Sequence, residues 1–229
     1  MTVAASLALW LLAAAPAEQA VSESRAIDVR NLINNAAFEP SKYFADEEVG
    51  LDLIYITYRG DDYDWPFYSI AIRNDCAKVH TEACQLARRA RMVKVPVGAN
   101  ERPRKSGSRL VGEILQQATT PQDIPKALDK SGLQWVEADL KACPGAMSVL
   151  AEATKSQWVQ KTTVAPAKGD PIRLSLHADK VTVAFKEYLQ EATYYGALYE
   201  GTPAAWADNL AKTLEPCWKP ASAPAPWHQ

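Results

Sequence analysis

Hydrophobic positions along this chain change period several times, and each change predicts an element. Val3 to Ala15 is almost purely Ala, Leu and Val, and Ala15, Pro16 and Ala17 follow as the small residues a signal peptidase accepts. At 1.5 Å per residue the run falls short of the roughly twenty residues that cross a bilayer. The pattern therefore predicts a signal peptide over 1–17, cleaved after Ala17 or after Ala20. Because the terminal amine is the only positive charge before Arg25, either the true start lies upstream or the signal is a weak one.

Arg25 to Ala37 sets Ile27, Leu32 and Ile33 among polar neighbours and is closed by Pro40, which predicts a helix. Leu51 to Arg59 and Phe67 to Arg73 are rich in β-branched and aromatic residues, with a turn-like Gly60 to Asp64 between them. That arrangement predicts an antiparallel hairpin. Met92 to Val97 predicts a third strand, which Pro96 would confine to a sheet edge. Gly98 to Ser108 contains no large apolar residue and is the clearest loop.

Helices are expected at Leu110 to Ala118, from Thr120-Pro121 to Gly132, and at Ala146 to Ala153; Trp135 to Leu140 suits strand or helix equally. Ile172 to His177, Val181 to Phe185 and Thr193 to Tyr199 predict strands. Thr202-Pro203 is an N-cap with proline at the first helical position. The helix it opens carries Trp206, Leu210 and Leu214 at i, i+4 and i+8 and stops at Pro216. Pro220 to Gln229 reads as a disordered, polyproline-like tail.

The fold class expected from these elements is α+β: antiparallel strands from two regions, covered on one face by helices. They would form a single domain over 18–219, with a possible division into two lobes near 98–108. The composition, 48% hydrophobic and 23% charged, excludes a fibrous or wholly disordered chain. A formal net charge of −2 gives no global reason to expect nucleic acid or membrane as partner.

The four cysteines, Cys76, Cys84, Cys143 and Cys217, form an even set, as an oxidising compartment selects. Of the three possible pairings, Cys76 with Cys84 and Cys143 with Cys217 is preferred. The first pair is close in sequence, and the second brackets the C-terminal half. In the chain-entropy model the longer loop is worth about 4.5 kcal/mol before strain is subtracted. There is no C-x-x-C and no zinc-ribbon spacing, which argues against redox and structural-metal roles.

Candidate chemistry is sparse. Asp61, Asp62 and Asp64 cluster in the hairpin turn, yet no Ca²⁺-loop pattern follows them, so a solvated turn is the expectation. His80 with Glu82 and His177 with Asp179 are short-range pairings without H-E-x-x-H, and His228 lies in the tail. Neither a G-x-S-x-G elbow nor a nucleotide-binding glycine motif occurs, so no cofactor is expected. Arg88, Arg89, Arg91, Lys94, Arg102, Arg104, Lys105 and Arg109 face a single acidic residue, Glu101, within one stretch. Glu39 to Asp64 is correspondingly acidic.

The two stretches are expected to pair within the domain. The alternative is an anion-binding patch of Arg88, Arg89, Arg91, Arg102, Arg104 and Lys105 for an acidic envelope polymer or an acidic protein partner. Six tryptophans and nine tyrosines in the mature region would suit sugar stacking if aligned on a surface, but most are expected in the core, with Trp65, Trp218 and Trp227 partly open. The function expected is that of a non-enzymatic binding protein of the bacterial periplasm or exterior. The rival is a secreted hydrolase whose site assembles in space around His80 or His177.

Overall fold

A computed structural model describes residues 28–45, 52–60, 66–74, 88–96, 107–155, 179–187 and 190–229. The signal segment, Asp61 to Asp64, Trp65, Cys76, His80, Cys84, Arg102, Arg104, Lys105 and the 172–177 stretch lie outside the described residues. Helix α1 covers 28–37. It is followed by β1 (Asp52–Arg59), β2 (Pro66–Asn74), β3 (Arg88–Lys94), α2 (Gly107–Gln117), α3 (Ile124–Lys130), β4 (Gln134–Asp139), α4 (Ala146–Lys155), β5 (Lys180–Glu187), β6 (Gln190–Ala197), α5 (Pro203–Leu214) and β7 (Lys219–Pro220).

The strands form one seven-stranded sheet in the order β6-β5-β1-β2-β3-β4-β7, and every neighbour pair is antiparallel. The α+β architecture is thus as the sequence implies. Because β3 pairs with β4 from Arg89–Asp139 to Lys94–Gln134, the sheet is continuous across the 98–108 segment, and that segment does not separate the chain into lobes.

Residues alternate between the two faces of a strand, so parity assigns each side chain to a layer. One layer takes Ile54 and Ile56 of β1, Ile70 and Ile72 of β2, Ala90 and Met92 of β3, Ala138 of β4, and Val181 and Val183 of β5. Against them pack Leu150 of α4 and Trp206, Leu210 and Leu214 of α5. The opposite layer joins Ala71, Val93 and Val95 to Ile33 of α1, Leu110 and Ile114 of α2, and Leu128 of α3. Helices therefore cover both faces, where the sequence suggested one. The strands in the middle of the sheet carry apolar residues at both parities (Ile54 with Tyr55, Ile70 with Ala71, Met92 with Val93), which is the signature of a doubly buried strand.

Two further expectations change. The third strand begins at Arg88 rather than Met92, ends before Pro96, and lies inside the sheet rather than at its edge. The proline constrained only the strand's end. The tail is docked rather than disordered. The backbone N–H of Ala221 donates to the Trp135 carbonyl (3.1 Å), Trp135 Nε1 donates to the Ala223 carbonyl (2.9 Å), and Trp227 is 7% exposed with Nε1 donating to Asp129 Oδ1 (2.8 Å). One tryptophan at the end of a proline-rich segment supplies enough apolar surface to hold it down.

Helix α5 begins as the sequence indicates: the Thr202 side chain accepts from the Ala205 N–H (3.2 Å) and Pro203 occupies the first turn. Its Leu210 and Leu214 are fully buried, each contributing about 2–3 kcal/mol. Cys143 and Cys217 form the expected bridge, with Cα atoms 5.8 Å apart, and it ties the turn before α4 to the end of α5.

Candidate functional site

The apolar face of the sheet ends in one cross-strand row: Val181, Tyr58, Tyr68, Lys94 and Gln134 stand side by side on β5, β1, β2, β3 and β4. Here the helical cover stops short and leaves a groove. Helix α5 presents Asp208, Ala211 and Lys212 along one wall, and Glu215, just past the helix end, continues their stripe at i, i+3, i+4 and i+7 beside the buried Leu210–Leu214 stripe. The wall continues through Trp218, Lys219 and Pro220. Two chambers of about 540 and 450 Å3 result, and they share Met92, Lys94 and Glu215.

The aromatic end is tightly positioned. Tyr58 stacks on Tyr68 with ring centroids 5.0 Å apart, and on Phe67 at 6.0 Å. Phe67 reaches this position because the chain at position 60 is glycine; a Cβ there would sit 2.0 Å from the Phe67 ring. The β1–β2 register shifts between Tyr58 and Arg59, which re-aims the strand end at the same point.

The charges on the floor and on the α5 wall of the groove are paired, whereas Lys219 of the continuing wall is exposed. Lys94 Nζ lies 2.5 Å from Glu215 Oε1, with side-chain exposures of 16% and 59%. Lys212 Nζ lies 2.7 Å from Asp208 Oδ2, and the Tyr58 hydroxyl donates to the Asp179 carboxylate. Two polar groups are different: Tyr68 Oη and Trp218 Nε1 are buried and have no hydrogen-bond partner. Burial pushes the Tyr68 phenol well above its ordinary value of 10.0, and the nearby Asp208, Tyr58, Glu215 and Asp179 add to the rise, so it stays an O–H donor. Each chamber thus has in its lining one residue whose donor is covered and without an acceptor. Leaving such a group unmade costs about 1–3 kcal/mol.

The arginines singled out in the sequence are placed differently. Arg91 is 2% exposed; its Nη1 donates to the Tyr43 carbonyl (2.6 Å) and its Nε is 4.0 Å from Glu137 Oε2. With Arg73 and Arg89 it surrounds the Phe44 ring, the guanidinium carbons of Arg91, Arg73 and Arg89 lying 4.6, 4.8 and 5.5 Å from the centroid. Arg88 has the opposite parity on β3. The described arginines of the anion-patch set therefore do not share one solvent-facing surface, and two of them hold down the segment that follows α1.

His228 Nε2 lies 2.8 Å from Asp129 Oδ1. His177, the Asp61 to Asp64 cluster and the Cys76–Cys84 pairing, like His80, belong to the undescribed segments. A second, polar depression of about 520 Å3 lies where α1 meets β1 and β2, lined by Asn31, Asn34, Asn35 and Glu39. Among the described residues no group of three His, Cys, Asp or Glu is placed to hold a metal ion.

The sequence singled out Lys94 as part of a basic stretch and Trp218 as partly open; the groove uses both. It passed over Tyr58, Tyr68, Met92, Asp208 and Glu215. The available signal was the polar stripe on α5 beside its apolar one, which breaks the expectation that a core helix turns only one kind of residue toward the sheet. Comparison with protein-family models, curated proteins and solved structures finds no match for this chain.

Proposed function

We propose that this chain is an exported, non-enzymatic binding protein of the bacterial envelope, and that the groove beside α5 is its ligand site. The observation that carries the reading is the pair of buried donors, Tyr68 Oη and Trp218 Nε1, each in a chamber wall with no acceptor. A folded protein rarely leaves such groups unmade unless something else completes them. Lys94, Glu215, Lys212, Asp208 and Tyr58 of the groove are ion-paired or hydrogen-bonded within the fold, an arrangement suited to recognition. Export is supported by the leader pattern and by the Cys143–Cys217 bridge. No helix among the described residues is long and apolar enough to cross a membrane.

The test is retention of small solutes. The purified mature protein is equilibrated with a deproteinised periplasmic extract, dialysed, unfolded, and the released molecules are identified by mass spectrometry. The expected result is a solute retained by the wild type and lost from a Tyr68→Phe, Trp218→Phe double variant. Equal retention by both proteins, or none by either, overturns the groove as the site.

A further inference from the structure

We infer that the groove's ligand is an uncharged peptide segment about four residues long, lying in an extended conformation across β1 to β4. This rests on the groove being the ligand site, and three observations narrow the ligand's class.

The first is length. The floor row crosses four strands, from Tyr58 on β1 to Gln134 on β4. Three inter-strand spacings of about 4.8 Å make a path of roughly 14 Å, and an extended chain covers that in about four residues.

The second is polarity. The charges on the floor and the α5 wall are neutralised in place by the Lys94–Glu215 and Lys212–Asp208 pairs, and the one other charged lining residue, Lys219, is exposed at the far end of the second chamber. An indole N–H can only donate, and a phenol kept neutral at high pH donates as well. What these two covered donors lack is a pair of acceptors, which a ligand would supply by displacing the side chains over them. Successive backbone carbonyls of a peptide supply acceptors at regular intervals without adding charge.

The third is shape. Tyr58 is already stacked on Phe67 and Tyr68, so it does not supply the flat platform a sugar ring would use. Met92, common to both chambers, is instead an adaptable, polarizable surface of the kind that accommodates varied apolar side chains. The Lys94–Glu215 pair divides the chambers. Because Glu215 is largely exposed, the pair is weak, and it can open to let a chain pass.

The experiment uses the mature, oxidised protein, isotopically labelled so that the Met92 methyl and the Trp218 indole N–H are observed. It is titrated with a positional-scanning library of N-acetylated, C-amidated tetrapeptides and, separately, with maltotetraose and chitotetraose. The expected result is that mixtures carrying Leu, Ile, Phe or Met shift both signals, while mixtures carrying Asp or Lys do not. Tyr68→Phe should then weaken peptide binding about three- to tenfold while raising the melting temperature of the unliganded protein, since it removes a buried hydroxyl without a partner. If the oligosaccharides move both signals and the peptides do not, the peptide inference falls while the groove stands as a ligand site. If neither class moves them, both fall.

Discussion

The two faces of the sheet are built on opposite terms. Toward α4 and α5 the interior is apolar from β5 to β4, and its polar groups are gathered at one end, in the groove. Toward α1, α2 and α3 polar residues are set into the layer itself: Thr57, Ser69, Arg73, Arg91 and Glu137 are all buried on that face. There most of the polar groups find partners within the fold, although Arg91 Nε and Asn34 Oδ1 make no hydrogen bond. Ser69 Oγ donates to the Phe38 carbonyl (3.0 Å), and Arg91 bonds the Tyr43 carbonyl (2.6 Å). The contrast separates two uses of buried polarity: bonded to backbone carbonyls within the fold on one face, it fixes where α1 and the following turn sit; left without acceptors beside an open groove on the other, it marks the place we propose for a ligand.

That contrast can be broken in graded ways. The largest effect should come from the Cys143–Cys217 bridge, because Cys217 lies between Glu215 and Trp218 of the groove wall. Cys143→Ser with Cys217→Ser is expected to cost about 4 kcal/mol in urea unfolding. It should also abolish ligand-induced shifts in the groove while leaving the Arg91 side of the sheet unchanged.

Next come two substitutions that compare the faces directly. Leu210→Ala should cost about 3 kcal/mol by leaving a cavity. Arg91→Met should cost a similar amount, about 3 kcal/mol, although it substitutes a long apolar side chain, because Glu137 and the Tyr43 carbonyl lose their partner. A neutral Arg91→Met variant would mean that the second face is ordinary core and the distinction is unfounded.

Thr202→Ala, which removes the α5 cap, should cost about 1 kcal/mol by urea unfolding.

The smallest effect is on pH dependence. Asp129 is held below its ordinary value of 3.8, first by the Trp227 N–H and then by His228. A carboxyl depressed in the folded state stabilises above its unfolded value, and that contribution fades as pH falls through the lower folded value. Since nearly half of the Asp129 side chain is exposed, solvent screening keeps the effect small. Trp227→Phe should therefore flatten the acid slope of the melting temperature below about pH 4 without altering it near neutrality.

The apolar face was legible in the sequence because its signals are periodic. Ile54, Ile56, Val181 and Val183 alternate along strands, and Trp206, Leu210 and Leu214 recur along a helix. Capping by Thr202 and the pairing of Cys143 with Cys217 could be read for similarly local reasons. The polar-studded face was not legible. Arg89 and Arg91 next to Arg88 look like a solvated charge run, and only the pairing of β3 between β2 and β4 turns that run into a buried strand. The tail was misjudged because proline content describes the chain's own preference, whereas Trp227 docks through a contact with Asp129, remote in sequence. The groove was hidden for the same reason: Tyr58, Tyr68, Lys94 and Glu215 come from three separated segments, and the missing acceptors are a property of their meeting.

The most direct test of that meeting uses the four tryptophans of the described residues. The indole N–H groups of Trp135, Trp206 and Trp227 already donate to Ala223, Val149 and Asp129, whereas that of Trp218 has no acceptor. The measurement is a titration of the oxidised protein with N-methylacetamide, the smallest neutral amide carbonyl, followed through the indole N–H resonances. The account predicts that the Trp218 signal moves downfield and saturates while the other three hold still. A Trp218 signal that stays fixed, or four signals that drift together, would contradict it.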